Sequence, residues 1–310
     1  MSREFYSATL RDEALIHLRG RGIGDFLQGQ LTCDLRGLAP ERAVAGAMCT
    51  VKGRVISDLW VVAVDDGHTC LRLRRSVAEA FAENLARYAQ FSRIAVTVDE
   101  RRDAITGFYG DDIPLPALGL DAVGACSRTG DSILLRSADR LVQRIDLPGD
   151  SEGKAPGGAD PSGATASARA GSEGVWRARE LLAGHFALEE GDREQFTPQA
   201  LNFDRSGRVA FDKGCYTGQE VVARLHYKGR AKQRLQIFRG GTRDAGDAPR
   251  TGTAILDSDG GTVGEVLRVE ILSDREVVVA ALLRHDEVRS DLRLTGGTEL
   301  SRVSGTPHEG

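Results

Sequence analysis

Val55-Ile56-Ser57-Asp58-Leu59-Trp60-Val61-Val62-Ala63-Val64, followed by Asp65-Asp66-Gly67, reads as one long β-strand closed by a turn. The stretch from Val44, with a turn at Lys52-Gly53, supplies a strand before it, and a further strand runs on to Arg74. The three form an antiparallel meander. Ser76 and Glu79 then carry capping-box spacing, and Val77, Ala80, Phe81, Asn84, Leu85 and Tyr88 recur at helical intervals. A strand over Ile94 to Val98 follows. Strands with one helix laid on them predict an α+β fold built from ferredoxin-like units, rather than a parallel doubly wound sheet.

Working upstream, Ala14 to Leu18 reads as a strand and Asp25 to Leu31 as a helix presenting Phe26, Leu27 and Leu31. Gly20, Gly22 and Gly24 lie between them, but Asp25 stands where a dinucleotide fingerprint needs its third glycine. A glycine-rich turn before a helix is the preferred reading. Downstream, Ser132 to Leu147 predicts two strands joined at Ala138-Asp139. From Gly149 to Gly174 the chain has no large apolar side chain, which predicts a flexible surface insertion. Val175 to Ala183 reads as a short helix carrying Trp176 and ended by Gly184. Beyond Lys232, Leu235 to Phe238, Gly261 to Ile271, Val277 to Leu283 and Leu292 to Leu294 are short strands, which a small closed or nearly closed barrel would protect.

The composition narrows the function classes. Among 310 residues, 41 Lys plus Arg face 45 Asp plus Glu, and a net charge of -4 argues against a general binder of nucleic acid or anionic membrane. No apolar run approaches the roughly 20 residues that span a bilayer, and Met1-Ser2-Arg3-Glu4 does not open a signal peptide. A cytoplasmic location is expected. The five cysteines, at positions 33, 49, 70, 126 and 215, show no CxxC spacing, so no disulfide framework, zinc ribbon or ferredoxin-type cluster is expected and no residue is assigned to a metal.

Chemistry concentrates in Lys213-Gly214-Cys215-Tyr216-Thr217-Gly218-Gln219-Glu220, ahead of the helix-forming Val221-Val222-Ala223-Arg224-Leu225. Thr217 and Glu220 have capping-box spacing, which would place Cys215 at the positive mouth of a helix beside the Lys213 ammonium. A thiol there ionises readily; the alternative is a small buried hydrophobe. Asp58 is either an aspartate on the wet face of a half-exposed strand or a carboxylate held for a ligand. Trp176 is either a core aromatic or the wall of a pocket for a flat heterocycle. Arg224, His226, Lys228, Arg230, Lys232 and Arg234 recur at every second position, either as a solvated basic edge or as a rim facing an anion such as a polyglutamate tail.

The octet resembles the signature of the YgfZ family, folate-binding proteins linked to the maintenance of iron-sulfur enzymes. The resemblance continues through Val222-Ala223-Arg224, Tyr227-Lys228-Gly229 and Lys232-Gln233-Arg234, and is preceded by Phe196-Thr197-Pro198-Gln199 and Leu201-Asn202. Phe26-Leu27-Gln28-Gly29-Gln30-Leu31-Thr32 with Asp34 is similar to the same family and to its relatives, the glycine-cleavage aminomethyltransferases. Gly53-Arg54-Val55-Ile56-Ser57-Asp58-Leu59 resembles the segment where those transferases carry a doubled acid facing folate; Ser57 replaces the first acid here. Glu13 stands where family members often have a second tryptophan, and His185-Phe186 where they usually show Ile-Pro.

The resemblance implies ferredoxin-like folate-binding domains in an aminomethyltransferase-like arrangement over residues 1–228, and a C-terminal β-barrel over 229–310. It implies tetrahydrofolate or a derivative as cofactor, contacted by Trp176, Asp58, Tyr216, Gln219, Glu220 and Arg224, with Cys215 and Lys213 as the reactive pair. The partners it implies are iron-sulfur client enzymes or assembly proteins, with tRNA modification affected indirectly and neither nucleic acid nor membrane bound. An accessory factor is preferred over a genuine aminomethyltransferase, and a protein-interaction module with a vestigial pocket is the third option.

Overall fold

The computed structural model describes residues 4–148, 163–242, 248–284 and 291–303. Its elements are β1 (Phe5–Thr9), β2 (Glu13–Arg19), α1 (Ile23–Gln28), β3 (Val44–Cys49), β4 (Val55–Asp65), β5 (His68–Arg74), α2 (Arg75–Ala89) and β6 (Ala95–Val98). Then come β7 (Ile105–Gly110), β8 (Cys126–Thr129), β9 (Ser132–Ala138), β10 (Leu141–Asp146), β11 (Arg169–Ala170), α3 (Glu173–Leu182) and α4 (Gln219–Lys228). The last strands are β12 (Gln233–Gly241), β13 (Ala254–Leu256), β14 (Thr262–Ser273), β15 (Glu276–Arg284), β16 (Leu292–Leu294) and β17 (Glu299–Arg302). The class is α+β. The chain divides into two compact units: Met1–Glu173 with Ala187–Gln195 and Gly207–Gln219, and Gly174–Phe186 with Phe196–Ser206 and Glu220–Gly310.

In the first unit the expected meander becomes the centre of a five-stranded sheet, ordered β3-β4-β5-β2-β6. Period-two alternation sends Ile16, Leu18, Leu59, Val61, Leu71 and Leu73 into a core with Val77, Phe81 and Leu85 of α2. Phe81 and Leu85 are fully buried, each stabilising by roughly 1.5–3 kcal/mol through removal of apolar surface from water. The buried stripe of α2 is Val77, Ala78, Phe81, Ala82, Leu85 and Ala89, while Tyr88, expected inward, is 48% exposed. Ser76 does not cap this helix. It starts one residue earlier, after Arg74, whose side chain makes no capping hydrogen bond.

The opposite face of that sheet is also buried, since Asp58, Trp60 and Val62 of β4 are almost without exposure. The wet-face reading of Asp58 is therefore wrong: a strand covered on both sides has no solvent side for a carboxylate. A second, six-stranded sheet runs β11-β1-β7-β10-β9-β8 over a core of Phe5, Phe108, Ile113, Leu118, Leu134 and Val142.

The stretch expected to be a flexible insertion is in part ordered. Residues 149–162 of it lie outside the described residues, but 163–174 have definite structure. β11 pairs in parallel with β1, the Gly171 amide donates to the Ser7 carbonyl at 2.8 Å, and the Ser172 amide donates to the Tyr109 hydroxyl at 2.7 Å. The β11 pairing and the Gly171 bond are made by backbone groups and the Ser172 bond ends on a side-chain hydroxyl; none of them needs a large apolar side chain from residues 163–174, so they leave no compositional trace.

The second unit holds a closed barrel, β12-β15-β14-β13-β16-β17. Val277, Val279, Ala281 and Leu283 alternate into its core with Phe238, Ile255 and Val266, and closure removes the free edges that short strands would expose. Helix α3 is tied to β14 by Arg177 Nε and Glu270 Oε2 at 3.2 Å. Residues 196–206 are fastened to the start of the barrel: the Asn202 amide donates to the Leu235 carbonyl at 2.7 Å, and Arg234 donates to Asp204, Asn202 and the Gln199 carbonyl. Arg234 is thus a structural fastener and belongs to no basic rim. Residues 224, 226 and 228 lie within α4, where about 100° per residue scatters them around the helix. Among the described residues no helix is long and apolar enough to cross a membrane.

Candidate functional site

Residues 213–219 of the octet lie in the first unit, held there by their own lysine. Lys213 is buried, and its ammonium donates to three carbonyl oxygens, those of Gln28 at 2.8 Å, Leu31 at 2.8 Å and Cys33 at 2.6 Å. Thr32 Oγ1 donates to the Arg208 carbonyl at 2.6 Å, the Ala210 amide donates to the Thr32 carbonyl at 2.9 Å, and the Thr217 amide donates to the Gly29 carbonyl at 3.3 Å. Two motif stretches some 180 residues apart are therefore bonded along their length. Gly218, with φ 85°, packs against the turn between β3 and β4; a Cβ there would collide with the Thr50 carbonyl oxygen.

This arrangement changes the roles expected of Lys213 and Cys215. Burial lowers the Lys213 pKa while Cys33 and Asp34 act to raise it, and all three of its described hydrogen bonds go to backbone carbonyls. The ammonium is a clamp, with Tyr216 beneath it at 5.2 Å to the ring centroid. Helix α4 begins at Gln219, so Thr217 lies two residues ahead of it and the capping-box expectation fails. Gly218 in the left-handed region ends the turn instead. Cys215 is exposed, in contrast to the buried Cys33, Cys49, Cys70 and Cys126.

Tyr216 is 6% exposed, its hydroxyl has no hydrogen-bond partner among the described residues, and burial, reinforced by Cys49, pushes its pKa upward. Asp58 accepts a hydrogen bond from the Leu188 amide at 2.9 Å on one oxygen and faces Arg208 Nη2 at 4.0 Å with the other. Arg208 and Thr32 were not expected at the site. Thr32 closes the motif stretch that begins at Phe26, and Arg208 lies five residues ahead of the octet; neither carries a further signal. Glu13 is buried and ion-paired to Arg72 at 2.8 Å and to Arg74. The position of the family's second tryptophan is thus a buried charge cluster.

The remaining expected ligand residues divide between the units. Gln219 is half-buried and closes the first unit. In the second, Trp176 has no exposed surface, as a core aromatic would, whereas Glu220 and Arg224 are exposed on α4, whose one buried residue is Val222. A cavity of about 790 Å³ opens in the barrel beside Arg250, Thr253 and Thr298, and no expected site residue lines it.

No protein-family model matches the chain. It is 30% identical to the tRNA-modifying protein YgfZ of Sodalis glossinidius, over 90% of this chain and 84% of that one. With the YgfZ of an Escherichia coli strain the identity is 28%, over 97% and 92%. Among solved structures it is similar to the glycine cleavage system aminomethyltransferase T of Bartonella henselae, with a TM-score of 0.68 at 16% identity, covering 98% of this chain and 86% of that one. The aminomethyltransferase-like fold is thereby established.

Proposed function

The chain belongs to the YgfZ family, and from that premise we propose that it is a tetrahydrofolate-binding accessory protein that supports assembly or repair of iron-sulfur enzymes. In this reading it works in the cytoplasm with client enzymes or assembly proteins, and it affects tRNA modification through them. The observation that carries the reading is the bonding of residues 28–33 to the octet through Lys213, which leaves Cys215 as the exposed thiol of an otherwise clamped loop. Two features suit a reduced pterin, which carries several donors and acceptors. The Tyr216 hydroxyl is buried without a partner among the described residues, and the Asp58 carboxylate is buried with one oxygen accepting from the Leu188 amide and the other 4.0 Å from Arg208 Nη2. Those two residues would hold the ring system, and folate would supply the one-carbon chemistry.

The aminomethyltransferase-like fold favours one competing reading, a genuine aminomethyltransferase. Against it stand Ser57 in place of the first acid and the engagement of Asp58 by Leu188. Calorimetry with tetrahydrofolate on wild type, Trp176→Ala and Asp58→Asn tests the preferred reading. Saturable heat in wild type, weakened about tenfold by Asp58→Asn, is expected from loss of one charged hydrogen-bond acceptor. No heat up to about 1 mM ligand would refute it. Equal affinity in Trp176→Ala would remove the indole from the site. Brisk aminomethyl transfer from a lipoyl carrier would favour the competing enzyme.

A further inference from the structure

β2 and β5 are neighbours in register, with His17 opposite Cys70 and Arg19 opposite His68. Ile16, Leu18 and Leu71 point into the α2 core, so alternation sends His17, His68 and Cys70 together to the other face of the sheet. All three are buried, at 5%, 4% and 0% exposure. Their polar atoms close a triangle: His17 Nδ1 to His68 Nε2 is 2.9 Å, Cys70 Sγ to His17 Nδ1 is 3.2 Å, and Cys70 Sγ to His68 Nε2 is 3.5 Å.

With both imidazoles neutral, protons fill this triangle poorly. Asp99 is ion-paired to Arg101 at 2.6 Å, so its carboxylate only accepts, and the His17 Nε2 that stands 3.2 Å from it is the donor. A neutral His17 then presents a single lone pair at Nδ1, toward which both the thiol and the second imidazole converge. One lone pair does not accept two well-aligned hydrogen bonds. Two imidazole nitrogens and a sulfur within 3.5 Å of one another are also the donor set that a cation requires. The point equidistant from the three atoms lies about 1.9 Å from each, slightly inside the 2.0–2.3 Å of zinc-nitrogen and zinc-sulfur bonds, so an ion would sit just above the plane as in three corners of a tetrahedron.

We propose that His17, His68 and Cys70 form a binding site for a soft or borderline transition-metal ion, zinc(II) or copper(I), with Asp99 as the residue that orients His17. Thiolate and imidazole donors select this class over calcium or magnesium. The carboxylate-to-imidazole bond fixes the ring with Nδ1 facing the ion, the outer-shell arrangement that metal-binding histidines commonly show. Binding replaces the thiol proton of Cys70, which leaves to solvent, with a sulfur-metal bond. Among the described residues three side chains form the group, so the fourth position belongs to water or a small exogenous ligand. The site does not depend on folate binding, since none of its residues is among those assigned to the cofactor.

The test uses the full chain purified without chelators. Elemental analysis is expected to find one equivalent of zinc or copper per chain. After stripping, cobalt(II) is expected to give a sulfur-to-cobalt charge-transfer band in wild type and in Cys215→Ser, and none in Cys70→Ser. Competition against a coloured chelator is expected to show Asp99→Asn weakened about 10–100-fold. Should Cys70→Ser fail to fold, wild type alone decides through its cobalt spectrum. No stoichiometric metal together with no charge-transfer band in folded wild type, or a band that survives in Cys70→Ser, would overturn the site.

Discussion

Lys213→Met removes an ammonium while keeping most of the side chain's length and apolar stem. The carbonyl oxygens of Gln28, Leu31 and Cys33 then lose their charged donor. A hydrogen bond to a charged group contributes about 1.5–3 kcal/mol, and the buried methionine avoids the desolvation cost that lowers the lysine's pKa. The two effects leave a net loss of about 3–5 kcal/mol. At roughly 2–4 °C per kcal/mol, the first unit should melt about 6–20 °C lower. Trp60, buried in β4, reports on that unit, and a Trp176→Phe background silences the tryptophan of the other. Thermal unfolding followed by Trp60 fluorescence is the assay. A melting point within 2 °C or so of the parent would refute the clamp and return Lys213 to a chemical role at Cys215.

Three further outcomes are expected. Gly218→Ala should cost about 2–4 kcal/mol, because a Cβ meets the Thr50 carbonyl oxygen at a positive φ; an unchanged denaturation midpoint would contradict the packing. Alkylation at neutral pH, read by mass spectrometry, should modify Cys215 well before the four buried thiols, and burial pushes Cys33 and Cys126 up to about 11 and Cys49 to about 12; equal rates at all five would remove the distinction. Because the folded-state pKa of Cys49 is raised, its contribution to stability is complete below the unfolded value of 9.0 and is lost as pH rises toward about 12. Between pH 8 and pH 10 wild type should therefore lose about 1 kcal/mol more than Cys49→Ala in urea denaturation, and parallel pH profiles would count against it.

The long strand over Val55 to Val64, the hairpin at Ala138-Asp139 and most of the barrel were legible in the sequence because their signals are local: β-branched runs bounded by turn residues. β11 was not, since a two-residue strand paired to an edge by its backbone carries no periodic pattern. The octet and residues 26–34 could be picked out as motifs, but nothing in either shows that Lys213 fastens one to the other. That bond joins residues 180 or more positions apart. The His17, His68 and Cys70 cluster was missed for a related reason. A search for CxxC spacing examines one segment, whereas here strand register brings His17 across to the His-x-Cys pair of β5 from 51 and 53 residues away.

The chain crosses between its two units five times before it finishes. On the ribosome, the sheets of the first unit emerge well ahead of Leu188, which bonds Asp58, and of Lys213, which secures residues 28–33. At about 5–20 residues per second, the gap from Glu173 to Gln219 lasts about 2–9 s. Throughout that interval a nascent chain carries a buried-type carboxylate and three backbone acceptors without their late-arriving partners. It would be a natural customer for a holding chaperone, and no contiguous N-terminal fragment ending at Glu173 should be expressible as a well-ordered domain.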